Sequence, residues 1–401
     1  MPEWACARGG VTSVLRVVAW SVVVGTVGWG AWQPAWAEGT PGLSAPVGAH
    51  QRPLEDAGQR RSKASGTAAG RAAGASGRRA APRGAARPAV PSRAAPARPR
   101  VAGNAGEWLG YRTGPPRPSA REANAAPPRL PFYRAQRGRL TFYVLGTLHA
   151  GDPIDYPANR PFRAAIRAAL DASPTVAFEL SPDDLIDAQA DVQRSGRCLY
   201  ECLPRQISPS LWRKVAARVG HNPTLLAQVA RMRPWLAAMV MESYDAMSSG
   251  LQTDYGSEAQ IQNVYLKGRI VGLETLAEQM RAFDTLTLAE QREMLEQDLA
   301  QAPQQNAADL RRVHALWRAG DAERMFAWQR EKSAQLARDP AVSAAIDDKI
   351  LFQRNRRFTA RMQALAQPRR PVFVAIGALH LGGPRGVLQL LRAAGYQVRP
   401  L

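Results

Sequence analysis

The sequence predicts an α/β fold: a mixed central sheet flanked by helices, with a large helical middle and two pseudo-repeated halves. Three observations predict it. The apolar stretches "FYVLGTLH" and "FVAIGALH" each read as a buried strand ending in Gly-x-x-His, one near each end of the ordered region, with the two histidines 231 residues apart. The first of them opens a strand–helix–strand run over about 40 residues, the spacing of a βαβ unit. Between these two regions, helix-start signals dominate.

The elements follow in order. "RLTFYVLG" is a strand, "NRPFRAAIRAALDA" a helix, and "PTVAFEL" a second strand. In that helix Phe162, Ile166 and Leu170 share one face, and Asn159 is the expected N-cap. Ser181-Pro182 opens another helix. Ser208-Pro209 and Asn222-Pro223 pair a capping side chain with proline at the first helical position, and another helix begins at Pro234. "GSEAQIQNVYLKG" reads as a helix closed by Gly268, and "RIVGLE" as a short strand. Two "TLAE" segments, Thr275–Glu278 and Thr287–Glu290, carry the Ser/Thr-x-x-Glu capping box. Helices fill 304–366, one of them begun by Asp339-Pro340. "RPVFVAIGALHLGGP" is a strand and turn, "RGVLQLLRAAG" a helix with Gly395 past its end, and "YQVRPL" a last strand.

Composition divides the chain of 401 residues into three parts: 1–37, 38–130 and 131–401. Arg8 and Arg16, the apolar run "VVAWSVVVGTVGWGAW" and Ala35-Trp36-Ala37 have the order of a secretory signal peptide, with cleavage expected after Ala37. The run is shorter than the roughly 20 residues a spanning helix needs, so an uncleaved anchor is the lesser alternative. The mature protein is expected to be periplasmic or secreted. The net charge is +20, and Glu38–Pro131 alone holds 16 Lys/Arg against 5 Asp/Glu. That segment is rich in Ala, Arg, Pro and Gly and poor in large apolar residues, so it cannot bury enough surface to offset chain entropy. It is read as a disordered basic linker, either a spacer or a tether to an anionic envelope surface. Nucleic acid is not expected as a partner, because no aromatic residues interleave with the arginines. Beyond the signal, only Cys198 and Cys202 remain. An oxidising compartment permits a disulfide between them, with two free thiols as the alternative.

The chemistry is expected at the sheet edge. In open α/β sheets ligands lie outside the carboxyl ends of strands. A glycine at a strand end, here Gly146 and Gly377, permits a sharp turn or a close approach. His149 and His380 should both emerge there, whereas His221 and His314 lack strand context. Glu179 and Glu274 end apolar strands, and Asp152 lies in the loop after His149. A buried carboxylate needs a partner, either a cation or an arginine. Two imidazoles with a carboxylate suit Zn²⁺, Mn²⁺ or Co²⁺, and such a metal activates water. The bland alternatives are a cap role for Glu274, a turn role for Asp152 and an arginine partner for Glu179.

The motifs "YVLGTLHAGDP", "VAFEL", "MRPW", "VGLET", "FQRN" and "IGALHLGGPRGVLQLLRAAGYQV" resemble the TraB/GumN family, related to the TIKI metalloproteases and distantly to ChaN and the erythromycin esterases. The resemblance covers about 140–401. It implies a divalent-metal hydrolase, most simply a peptidase, with His149 and His380 as the motif histidines and Glu179 as metal ligand or general base. It also implies an Arg-Asn pair at Arg354 and Asn355, where Arg354 meets an anionic substrate group or a site carboxylate. Asp254 stands for an aspartate of the family pattern. The alternative class is a non-catalytic envelope protein that sequesters a peptide or a haem in the same cleft.

Overall fold

The computed structural model describes residues 119–187 and 195–401, leaving the signal segment and nearly all of the basic linker outside the described residues. Six strands form one mixed sheet, in the order β4-β3-β5-β2-β1-β6. They are β1 (Phe132–Arg137), β2 (Leu140–Thr147), β3 (Thr175–Phe178), β4 (Arg269–Gly272), β5 (Val372–Gly377) and β6 (Gln397–Pro400). Strands β4, β3, β5 and β2 run parallel, and beyond β2 the strand β1 runs opposite to both its neighbours, β2 and β6.

The parallel core explains the uninterrupted apolar runs, since helices cover both faces of such strands. Phe142 and Val144 of β2 pack with Val372, Val374 and Ile376 of β5 on one face. Leu145, Val176, Phe178, Phe373 and Ala375 pack on the other. The hairpin partner β1 was not separated from β2 by the sequence pattern: its outer end, Gln136-Arg137, is exposed and polar.

The helices follow their start signals. Those of six or more residues are α1 (Ala164–Ala172), α2 (Pro182–Asp187), α3 (Pro209–Val219), α4 (Pro223–Ala230), α5 (Pro234–Met247) and α6 (Ser257–Val264). Next come α7 (Leu276–Asp284), α8 (Leu288–Asp298), α9 (Pro303–Ala319), α10 (Ala322–Leu336), α11 (Pro340–Asp347), α12 (Gln353–Leu365) and α13 (Val387–Ala393). Both TLAE boxes close reciprocally at α7 and α8. Ser208, Asn222 and Asp339 cap α3, α4 and α11. The helical middle has its own core around Trp235, Met239, Met241 and Phe283. No helix among the described residues is long and apolar enough to cross a membrane.

Two expectations need correction. Asn159 does not cap α1, which begins at Ala164 with Arg163 at the cap. Asn159 bonds Asn124 instead, tying 159–160 to the chain just before the sheet. Helix α6 ends at Val264, before Gly268, whose positive φ of 96° serves the turn into β4. Cys198 and Cys202 are joined by a disulfide.

Candidate functional site

The site grows from the sheet's parallel core. Strands β2 and β5 are neighbours, and their register sets Gly146 against Ile376 and Thr147 against Gly377. The two Gly-x-x-His motifs therefore lie side by side. Gly146 is needed for packing: a Cβ there would stand 2.9 Å from Leu381 and 3.0 Å from Ala378. On the other side of β5, the β3–β4 pairing continues past the strand ends, where the Glu274 N–H donates to the Glu179 carbonyl at 2.9 Å. Each of the four parallel strands thus delivers one ionisable group to a single edge: His149, Glu179, Glu274 and His380.

Glu179 and Glu274 are buried carboxylates on adjacent strands, and Arg354 lies between them. Its Nε donates to Glu274 Oε1 and Oε2 at 3.0 and 3.2 Å. Its Nη2 donates to Glu274 Oε1 and to Glu179 Oε2, each at 2.5 Å. Burial alone would lower the Arg354 pKa, but the charges of Glu274 and Glu179 outweigh it and hold the guanidinium above its ordinary value. Glu179 spends its other oxygen on the Gly377 N–H, at 2.7 Å. Glu274 also accepts from Gln279 at 3.1 Å, and Arg357 stands 3.7 Å away. A π-helical turn, Asp348–Phe352, precedes α12, and Arg354 Nη1 donates to the Ile350 carbonyl of that turn. Such turns reset which side chains face inward, and they recur at functional sites. Here it leads into consecutive buried residues, Arg354 and Asn355.

Asn355 fixes His380. Its Nδ2 donates to the Arg385 carbonyl, so its Oδ1 faces His380 Nδ1, at 2.5 Å. An amide oxygen only accepts, so the hydrogen-bond pattern assigns the proton to Nδ1 and a lone pair to Nε2. That Nε2 lies 3.4 Å from Arg354 Nη1 and 3.5 Å from Glu179 Oε1. Burial, then the charges of Arg354 and His149, hold the His380 pKa well below its ordinary value. The ring is a neutral imidazole near neutrality, packed on Phe358.

His149 has a different environment. Its Nδ1 is 3.4 Å from Oε2 of Glu258, in the first turn of α6. Thr147 donates to Glu258 Oε1 at 2.6 Å. Burial pushes Glu258 up, but the charge and hydrogen bond of His149 and the bond from Thr147 prevail, holding the carboxyl below its usual range. Chain crossings press on the His149 backbone: a Cβ on Gly256 would meet the His149 carbonyl oxygen at 2.5 Å. Gly151 bridges to Gln252. The Leu148 N–H donates to Ser257 Oγ.

The expected residues separate accordingly. His380, Glu179, Glu274, Arg354 and Asn355 come together, with Gly377 as a backbone donor. Asp152 is not among them: its side chain caps the short 3₁₀ turn Pro153–Asp155. Asp254 is exposed, and Glu258, four residues on, reaches His149 instead. Arg354 is committed to carboxylates, so the anionic-substrate alternative is not the one this geometry displays. Glu274 is not the cap of α7, a role Thr275 fills. Glu179 meets Arg354 through one oxygen and the Gly377 N–H through the other, and the latter oxygen also lies 3.5 Å from His380 Nε2. Among the described residues no group of three or more His, Cys, Asp or Glu side chains is placed to hold a metal ion.

Sequence reasoning missed Glu258, although Gly-Ser-Glu before an apolar-periodic stretch is an N-terminal helix signal. It also passed over His314, which is buried and bonds Asp155 at 2.6 Å, while Arg318 one turn on bonds the other Asp155 oxygen. The i, i+4 pair of His314 and Arg318 on α9 was the available signal.

A parallel-core α/β protein with its ionisable groups gathered at the strand carboxyl ends is the class that fold and site define. The chain belongs to the TraB/PrgY/gumN family, whose model matches residues 131–400. No curated protein and no solved structure matches it.

Proposed function

We propose that the chain is an exported hydrolase of peptide, amide or ester bonds, with the His149–Glu258 pair as its general base. What supports this is one observation: four parallel strands deliver His149, Glu179, Glu274 and His380 to one edge, and His149 is backed by an ionised carboxylate, Glu258. In this reading His149 takes a proton from water as the oxygen adds to the carbonyl carbon, then returns it to the leaving nitrogen or oxygen. Glu258 orients the ring and balances the imidazolium. Arg354, Glu179, Glu274 and Asn355 are positioning residues that hold His380 neutral, with its Nε2 lone pair facing the cluster. Export rests on the signal-like segment before Glu38, which lies outside the described residues.

The metal-dependent form of the reading would place Zn²⁺, Mn²⁺ or Co²⁺ on His149, His380 and Glu179, whose oxygens each keep a lone pair beside the present N–H donor. The test is hydrolysis of a panel of peptides, anilides and esters by the purified protein, with metal content measured in parallel. His149→Ala and Glu258→Gln are expected to lower turnover, the first by about 100-fold or more. Full activity in both variants would sink the reading. Binding of a peptide or haem without product would replace it with sequestration. Loss of both metal and activity in His380→Ala would assign the metal-dependent form.

A further inference from the structure

A second feature lies away from the strand edge. Among the described residues Leu199 is the most exposed large apolar side chain, at 98%, and its neighbour Tyr200 is 59% exposed. Both occupy the turn closed by the Cys198–Cys202 disulfide. The base of this turn is firmly seated. Cys202 and Leu203 are buried, the Cys198 N–H donates to the Arg231 carbonyl at 2.8 Å, and the Arg233 N–H donates to the Gly196 carbonyl at 2.9 Å. A cross-linked base under an exposed apolar tip is costly in water and pre-organised for insertion into something apolar.

The surroundings are cationic. Arg205, Arg231 and Arg233 are exposed and Arg197 is half-buried, against the exposed acids Glu201 and Asp284. Arg205 lies over the Tyr200 ring, 5.5 Å from its centre. Arg233 is only loosely paired with Asp284, at 4.0 Å. Two adjacent apolar side chains make a point rather than a groove, so the tip offers little to a folded protein partner. A tyrosine with arginines around a leucine suits the interface of an anionic bilayer, where apolar atoms enter and cations remain at headgroup level. We propose that the Cys198–Cys202 turn is a lipid-contact tip that docks the folded domain on an anionic phospholipid surface. It does not depend on the hydrolase reading.

The test is vesicle flotation of the full chain with vesicles rich in phosphatidylglycerol and with pure phosphatidylcholine, at low and high salt. The wild type is expected to prefer the anionic vesicles. Leu199→Ser with Tyr200→Ser should lower the partition coefficient about tenfold, a loss that persists at high salt because it removes apolar burial. Arg205→Gln with Arg231→Gln should lower it by a similar factor at low salt only, because screening already removes that attraction at high salt. These positions are exposed, and circular dichroism is the check that each variant keeps the fold. The proposal is overturned if the tip variant floats like the wild type, if the wild type prefers neither vesicle, or if the tip controls self-association in light scattering and not flotation.

Discussion

Two buried charge clusters in this protein are mirror images in composition. At the strand edge one cation, Arg354, sits between two carboxylates, Glu179 and Glu274. Beneath the loop that carries His149, one carboxylate, Asp155, sits between His314 and Arg318. Asp155 is fully buried, and Arg354 is only 2% exposed. The difference lies in what each cluster joins. The first draws on three separate strands and a helix, and it fixes the state of His380. The second links one loop to one helix, and its Arg318 is a third exposed. Water can therefore relieve part of any damage to the second cluster, and almost none at the first.

Removing the central ion is the direct way to break that contrast. Arg354→Met leaves Glu179 and Glu274 buried without their cation, and breaking a buried pair costs about 3–5 kcal/mol. The expected outcome is a loss of this size in urea denaturation. Arg354→Lys keeps the charge but cannot serve both carboxylates in the same geometry, so it should fall between. A wild-type midpoint for Arg354→Met would show that the cluster contributes nothing to the fold.

Asp155→Asn is the matching test of the second cluster. The partners left behind are an imidazole and an arginine that reaches water, so a smaller loss is expected, about 1–3 kcal/mol. Asp155 also accepts from the Asp152 N–H and so shapes the turn after His149. If the loop matters to His149, hydrolysis should fall by more than the stability change explains. A loss as large as that of Arg354→Met would erase the distinction between the two clusters.

The contrast also shows what was legible in the sequence. Strand-end residues were readable because an uninterrupted apolar run stops at them: His149, Glu179, Glu274 and His380 each close such a run. The capping pairs were readable because their chemistry is local. Asp155 and His314 were not, because their meaning lies in a contact across 159 positions of chain. Glu258 was hidden for the same reason. It is an ordinary first-turn acid until the fold brings α6 against β2. Strand β1 was lost because its six residues mix apolar with polar ones and lack the uninterrupted run of the parallel strands.

The smallest expected effect separates the clusters by pH. His380 is held well below its ordinary value of 6.5, first by burial and then by the charges of Arg354 and His149. Below about pH 6.5 the unfolded chain takes up a proton that the folded chain does not, so stability falls as the pH drops through this range. Glu258, also depressed, contributes in the same direction, but only below its ordinary value of 4.5. Between pH 7.5 and 5.5 the His380 contribution should therefore stand apart from that of Glu258. Urea midpoints at these two pH values should differ less in His380→Gln than in the wild type. An equal difference in both proteins would mean that His380 takes up its proton in the folded state as readily as in the unfolded one, and that Arg354 does not hold it neutral.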